Sequence, residues 1–269
     1  MTVLDVSNYD ATTFDPACMK AAGVTGVIIG CQRENLAWDM CVDAKAAELP
    51  VEGVYAFLYF GLDTLGQTQA AIRIALQFQV PIVWLDCEST GEHDNASGPS
   101  QRITELTNCI EAVQRAGLDV GIYTGRWWWP SYMGNTTVFS DLPLWHSEYG
   151  VGSAPAAPVR VVDYGGWAGV AIHQYTSQFW CCGRNRDANY VFMEDDMTED
   201  RVREIIREEL GWGQAPPETT LAGLNRWGNK LEAEQVVPWI SALKLHMATP
   251  HASSGTVPQH PHAVTVTLD

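Results

Sequence analysis

Positive charge is what this sequence has least of. Lys and Arg number 16 against 32 Asp and Glu in 269 residues, a formal net charge of −16. Phosphate recognition rests on clustered basic side chains, so nucleic acid is excluded as a partner, and an anionic membrane surface is excluded with it. Long apolar runs are missing as well. No stretch approaches the roughly 18 residues that a membrane-spanning helix needs. No Gly-x-Gly-x-x-Gly or Walker pattern follows any predicted strand, no internal repeat is visible, and no nucleotide cofactor is expected. The N-terminus has neither a basic n-region nor an apolar h-region, so a chain made without a secretory signal is expected.

Cysteine is present in an odd number, seven, so complete internal pairing is impossible. Cys31, Cys41, Cys87 and Cys109 lie in apolar segments, where thiols behave as small hydrophobes. Cys181-Cys182 has no second pair or His at zinc-ligand spacing. The expectation is reduced structural thiols, no metal and no cofactor.

What is there reads as a folded globular chain, with 46% hydrophobic and 18% charged residues. Short β-branched runs at Val3–Val6, Val24–Cys31, Val51–Phe60, Pro81–Glu88 and Asp119–Thr124 alternate with helical patterns at Pro16–Ala22, Trp38–Glu48, Thr64–Gln79 and Pro99–Ala116. In the last of these Ile103, Leu106, Ile110 and Val113 form one stripe, and Gly117 is a stop signal. Beyond Thr124 three strand patterns, Leu144–Tyr149, Val159–Val162 and Val170–Thr176, are joined by segments rich in Gly, Pro and Ser. Alternating strands and helices imply parallel pairing. Eight strands with helices only in the first part predict an α/β fold, an irregular TIM-like (β/α)5(β)3 barrel over residues 1–192. A doubly wound open sheet is the alternative, and it lacks the phosphate loop such sheets carry.

Residues 193–269 form a C-terminal extension: a short helix with Val202, Ile205, Ile206 and Leu210 on one stripe, a Pro/Gly linker, a second helix and a His/Pro-rich tail. It holds 6 basic and 12 acidic residues against 10 and 20 in the barrel segment, so it is no basic anchor.

The chemistry concentrates in Pro81-Ile-Val-Trp-Leu-Asp-Cys-Glu88. Residues two apart share a strand face, so Ile82, Trp84, Asp86 and Glu88 point one way, and Val83, Leu85 and Cys87 the other. If the second set meets helices, two carboxylates sit at the C-terminal end of the fourth strand, where barrel enzymes place their sites. Like charges so close oppose each other's ionisation, so one carboxyl holds its proton near neutral pH. Asp5 ends the first strand and Asp187 follows the eighth, so both fall at the same rim. The competing assignments are a turn acid before Ser7-Asn8 and an Asx-turn with Asn189. Eleven Trp supply flat faces suited to sugar rings, although most large aromatics belong to cores. Trp127-Trp-Trp129 is a candidate platform, with burial expected for at least one of the three.

Together, Asp5-Val-Ser-Asn-Tyr9, Gly53-Val-Tyr-Ala-Phe57, Val83-Trp-Leu-Asp-Cys-Glu88, Gly121-Ile-Tyr-Thr-Gly125, Pro143-Leu-Trp145, His173-Gln-Tyr-Thr-Ser177 and Asp187-Ala-Asn189 resemble, in order, family 25 of the glycoside hydrolases, the Chalaropsis-type lysozymes common among phage endolysins. The resemblance implies a five-helix, eight-strand barrel. It also implies hydrolysis of the β-1,4 bond between N-acetylmuramic acid and N-acetylglucosamine in bacterial peptidoglycan. Glu88 would be the general acid, and Asp86 would orient the substrate's acetamido group. Asp5 and Asp187 would complete the acidic site, and Tyr55, Tyr123, Trp145, Gln174 and Tyr175 would line the cleft. His173 and Ala56 depart from the family's usual residues, and both are expected to alter a subsite.

The second reading is a phage tail or baseplate subunit carrying such a barrel, with self-association or virion docking through the extension. A chitinase-like enzyme is a third, weakened by the absence of the longer Asp-x-x-Asp-x-Asp-x-Glu run. Action on the wall would follow release through a membrane lesion made by another protein, or delivery as a virion part.

Overall fold

The strands carry two apolar patterns, and each meets a different partner. Residues 2–88, 98–150 and 156–192 are described by the structure, a computed structural model. The first five strands are β1 (Thr2–Val6), β2 (Gly26–Gly30), β3 (Val51–Phe57), β4 (Ile82–Asp86) and β5 (Asp119–Thr124). The helices are α1 (Pro16–Ala21), α2 (Glu34–Ala46), α3 (Thr64–Phe78), α4 (Pro99–Arg115) and the short α5 (Trp129–Tyr132). One strand face, including Leu4, Val27, Val54, Val83, Leu85 and Ile122, belongs to the large core shared with the helices. The other face carries Val3, Ile28, Tyr55, Trp84 and Tyr123, which with Trp145 and Ile172 form a second cluster. Two separate apolar layers on one sheet are what a closed barrel produces, since its inner face can meet only itself.

Closure is completed by β6 (Leu144–Ser147), β7 (Ile172–Cys181) and β8 (Arg184–Val191), in the ring order β1 to β8. From β1 to β7 every neighbouring pair is parallel. β8 runs antiparallel to both β7 and β1. The cause is local. Cys181 pairs with Arg184 across a two-residue turn, in which Cys182 has φ 51° and Gly183 φ 84°. Two positive φ values in succession make the tight turn whose twist matches a hairpin, so the chain doubles back without a helix.

The predicted barrel is therefore present, but its last third is assigned differently. Val159–Val162 is not a strand, because β6 already pairs directly with β7 through Trp145 and Ile172. The N–H of Val159 instead donates to His173 Nδ1 at 3.2 Å. The eighth strand is Arg184–Val191, so Asp187 lies within it rather than after it. Helix α2 begins at Glu34, one turn before the expected Trp38. In α4 Leu106, Ile110 and Val113 are buried as the stripe requires, and Gly117 stops the helix with φ 75°.

The expectation of wholly reduced thiols is wrong for two of them. Cys18 on α1 and Cys182 in the β7–β8 turn form a disulfide with Cα atoms 6.0 Å apart, across 164 residues of sequence. No spacing rule could reveal it, because the pairing depends on β8 returning beside β1. Cys31, Cys41, Cys87, Cys109 and Cys181 are free and buried.

Of the Trp triplet, Trp128 and Trp129 are fully buried and Trp127 is 52% exposed. Trp128 stacks on Phe60 and Tyr132. Trp84 fills the barrel interior because both neighbouring strands present glycine beside it. A Cβ on Gly53 would lie 2.8 Å from the Trp84 indole nitrogen, and one on Gly121 would enter the ring. Among the described residues no helix is long and apolar enough to cross a membrane. The short helix, second helix and tail expected in 193–269 lie outside the described residues.

Two outcomes follow for stability. Gly121→Ala should lower unfolding free energy by about 1–3 kcal/mol through overpacking against Trp84; an unchanged urea midpoint would show that the indole has room to move. Cys18→Ser should cost about 2–4 kcal/mol, because the crosslink closes a long loop in the unfolded chain. Thermal melts with and without reductant should then differ for the native sequence and coincide for the variant.

Candidate active site

The C-terminal ends of the parallel strands open into a cavity of about 470 Å3. All four predicted carboxyl groups line it: Asp5 from β1, Asp86 from the last residue of β4, Glu88 two residues further and Asp187 from β8. Strand parity brings Asp86 and Glu88 to the same side, while Val83, Leu85 and Cys87 enter the outer core. Asp5 and Asp187 are register partners across the antiparallel β1–β8 pair.

Each carboxyl has a different set of neighbours. Asp5 Oδ2 accepts hydrogen bonds from Gln174 Nε2 at 2.9 Å and Asn189 Nδ2 at 2.8 Å. Burial raises its pKa to about 6, against the opposing effect of those two amides. Asp86 is buried, and its Oδ1 has no hydrogen-bond partner among the described residues. Burial first, then the charges of Glu88 and Asp5, push Asp86 well above the ordinary carboxylate range. Asp187 is pushed up to about 8, by burial and then by Asp5, Asp10 and Glu88. Glu88 is half-buried and also raised, first by burial, with the charge of Asp5 adding to it. Tyr123's hydroxyl lies 3.2 Å from Glu88 Oε2.

The expected cleft residues Tyr55, Tyr123, Trp145 and Gln174 all line the cavity. Tyr175 does not. It follows Gln174 on the same strand, so its ring points to the opposite face, where it stacks on Tyr190 with centroids 4.0 Å apart. The same parity corrects the expectation that His173 and Ala56 alter a subsite. Ala56 belongs to the outer core. His173 is buried outside the barrel lumen, stacked on His146, with Nε2 donating to the carbonyl of Glu148 at 2.9 Å.

The sequence reasoning missed several lining residues. Phe57 at the end of β3 and Tyr59 beyond it continue the parity of Tyr55, and Tyr149 continues that of Trp145 beyond β6. Gln32 and Arg33 follow β2, and Ser7, Asn8 and Tyr9 follow β1. The alternation carried through the whole of the runs Val51–Phe60 and Leu144–Tyr149 points to Phe57, Tyr59 and Tyr149. The Ser7–Tyr9 loop is held by Asp10, which accepts from the Ser7 N–H at 2.9 Å and from the buried Arg186 at 2.7 Å. Arg33 is the one basic side chain lining the cavity, and it forms no ion pair among the described residues. Among those residues no group of three His, Cys, Asp or Glu is arranged to hold a metal ion.

Chemically, the cavity offers protonated and ionised carboxyl groups side by side, with aromatic walls. That is a site for general acid catalysis on an uncharged or weakly charged ligand.

Comparison with known proteins points the same way. The sequence profile of "Glycosyl hydrolases family 25" matches residues 4–183. Among curated proteins, the chain is similar to "Probable GH family 25 lysozyme 3" of Dictyostelium discoideum, 25% identical over 151 residues. The match covers 55% of this chain, which spans about a third of that relative, 31% of its length. Among solved structures, the muramidase from Trichobolus zukalii superposes with a TM-score of 0.58 at 18% identity, covering 75% of this chain and 96% of that one. The modular Cpl-1 endolysin, solved with a peptidoglycan analogue, gives 0.51 at 19% identity, covering 72% of this chain and 54% of that one. At such identities the structural matches establish the fold.

The raised carboxyls make a stability prediction. An acid whose pKa is higher folded than unfolded binds its proton more tightly in the fold, so its contribution is complete at low pH and is lost as pH rises. For Asp187 the window runs from its usual 3.8 up to about 8. Asp187→Asn should therefore gain on the order of 1 kcal/mol at pH 8 relative to its effect at pH 4. Paired thermal melts of variant and native chain at the two pH values check this; equal shifts at both would contradict it.

Proposed function

Because this chain belongs to family 25 of the glycosyl hydrolases, we propose that it is a muramidase, cleaving the β-1,4 bond between N-acetylmuramic acid and N-acetylglucosamine in bacterial peptidoglycan. The observation that carries the proposal is the placement of Glu88, half-buried, raised in pKa and beside the more deeply buried Asp86 in an aromatic cavity.

In the proposed reaction Glu88 donates its proton to the glycosidic oxygen as the bond from that oxygen to the anomeric carbon breaks. The acetamido oxygen of the same sugar forms a bond to the anomeric carbon from the other face. Asp86, whose Oδ1 is buried without a partner among the described residues, accepts the acetamido N–H and supports the positive charge that develops. Water then attacks the anomeric carbon, Glu88 takes its proton, and the acetamido group is restored. Asp5 and Asp187 complete the acidic wall, and Tyr55, Tyr123 and Trp145 supply packing surfaces for sugar rings. Arg33, without an ion pair among the described residues, suits the carboxylates of a muramyl group or its peptide.

Glu88→Gln should cut release of reducing ends from purified peptidoglycan by at least about 100-fold while leaving the melting curve intact. Undiminished release would remove Glu88 from the acid's role. For the native chain activity should be bell-shaped in pH. It is lost on the alkaline side as Glu88 gives up its proton, and on the acidic side as the neighbouring carboxylates gain theirs, the limbs belonging to the coupled group. Retention of anomeric configuration in the product would support the acetamido route, and inversion would replace it with direct attack by water.

A further inference from the structure

Gln174 is the most widely shared side chain in the cavity. It is 2% exposed. Its Oε1 faces three hydroxyl groups, those of Tyr149 at 2.7 Å, Tyr123 at 2.8 Å and Ser147 at 3.3 Å. Its Nε2 donates to Asp5 Oδ2. The direction of this amide is fixed from the barrel interior. The indole N–H of Trp145 can only donate, so the oxygen of Asn189 must face it, at 2.8 Å. The amide nitrogen of Asn189 then faces Asp5 Oδ2 and the carbonyl of Val3. Asp5 Oδ2 is thereby an acceptor, and Gln174 turns its N–H toward it and its oxygen toward the tyrosines.

A carbonyl oxygen has two lone pairs, and the two short tyrosine bonds fill them. A tyrosine hydroxyl has one hydrogen. With that hydrogen on Gln174, the Tyr123 oxygen offers only lone pairs to Glu88 Oε2, 3.2 Å away. A hydrogen bond forms there when Glu88 brings the proton. Asp5, Asp86, Asp187, Tyr9, Tyr55, Tyr59, Tyr149 and Arg33 are the other ionisable groups around the cavity. None of them donates a hydrogen bond to Glu88 among the described residues.

We propose that Gln174 is a positioning residue for the acid. By holding the hydrogen of Tyr123, it leaves the carboxylate form of Glu88 without a donor and so keeps Glu88 protonated. The catalytic consequence rests on the muramidase reading, but the placement of the proton does not.

The test is a pH titration of the Glu88 carboxyl carbon by NMR in the full chain labelled with 13C-glutamate, the signal being assigned through its loss in Glu88→Gln. In Gln174→Met, Tyr123 is free to donate to Glu88, and the titration midpoint should fall by about one pH unit. Adding Tyr123→Phe removes that hydrogen and should return the midpoint toward the native value, an outcome that a merely structural role would not give. The alkaline limb of hydrolysis should move with the midpoint. An unmoved midpoint in folded Gln174→Met overturns the proposal. Tyr123→Phe alone provides a check that does not depend on Gln174→Met folding. The midpoint should stay or fall, whereas a rise of about one unit means the hydrogen was already on Glu88, and the proposal fails. Variants that show these shifts, beside a native chain that releases no sugar from peptidoglycan, would uphold the positioning role and remove the muramidase reading.

Discussion

Four carboxyl groups converge on one cavity with Arg33 as the single basic side chain lining it among the described residues, and burial makes full ionisation of that group of acids costly. Water is the usual solvent of a carboxylate, and a protein wall that replaces it must supply hydrogen bonds or leave a proton in place. Here the supply is unequal. Asp5 receives two amide N–H groups, from Gln174 and Asn189. Asp86 Oδ1 receives none among the described residues. That inequality gives neighbouring acids different affinities for a proton, which is how carboxyl groups take different roles in one site.

The irregular part of the barrel provides the inequality. The helix-rich half contributes Asp5, Asp86 and Glu88 from ends of parallel strands. The half with few helices contributes the polar side chains that set their states. Gln174 comes from β7, and Asn189 and Asp187 from β8. The antiparallel return of β8 places Asp187 opposite Asp5 and Asn189 opposite Val3. The cavity floor is equally specified, since Trp84 occupies space that only Gly53 and Gly121 leave open. The Cys18–Cys182 link then ties the hairpin that carries these residues to the first helix.

Alternation was the most legible signal in the chain. It assigned every apolar residue of Ile82–Asp86 to the correct layer and put Asp86 and Glu88 on one side, because side chains on a strand have a period of two whatever surrounds them. The same rule, applied strictly, would have excluded Tyr175 and found Phe57, Tyr59 and Tyr149. Resemblance to a family overrode it for Tyr175. Val159–Val162 was misread because β-branched residues describe a pleated, half-buried surface, and a loop packed under His173 offers one too.

By itself the amino-acid sequence determined the barrel, its inward and outward faces and the identity of the four acids, all of which follow from local periodicity and residue type. Only the tertiary structure decided the direction of β8, the Cys18–Cys182 bond and the hydrogen-bond chain from Trp145 through Asn189, Asp5 and Gln174 to Tyr123. The physical reason is distance along the chain. Gln174 and Asn189 lie well over a hundred residues from Asp5, and no local pattern records a contact that exists only once the sheet has closed.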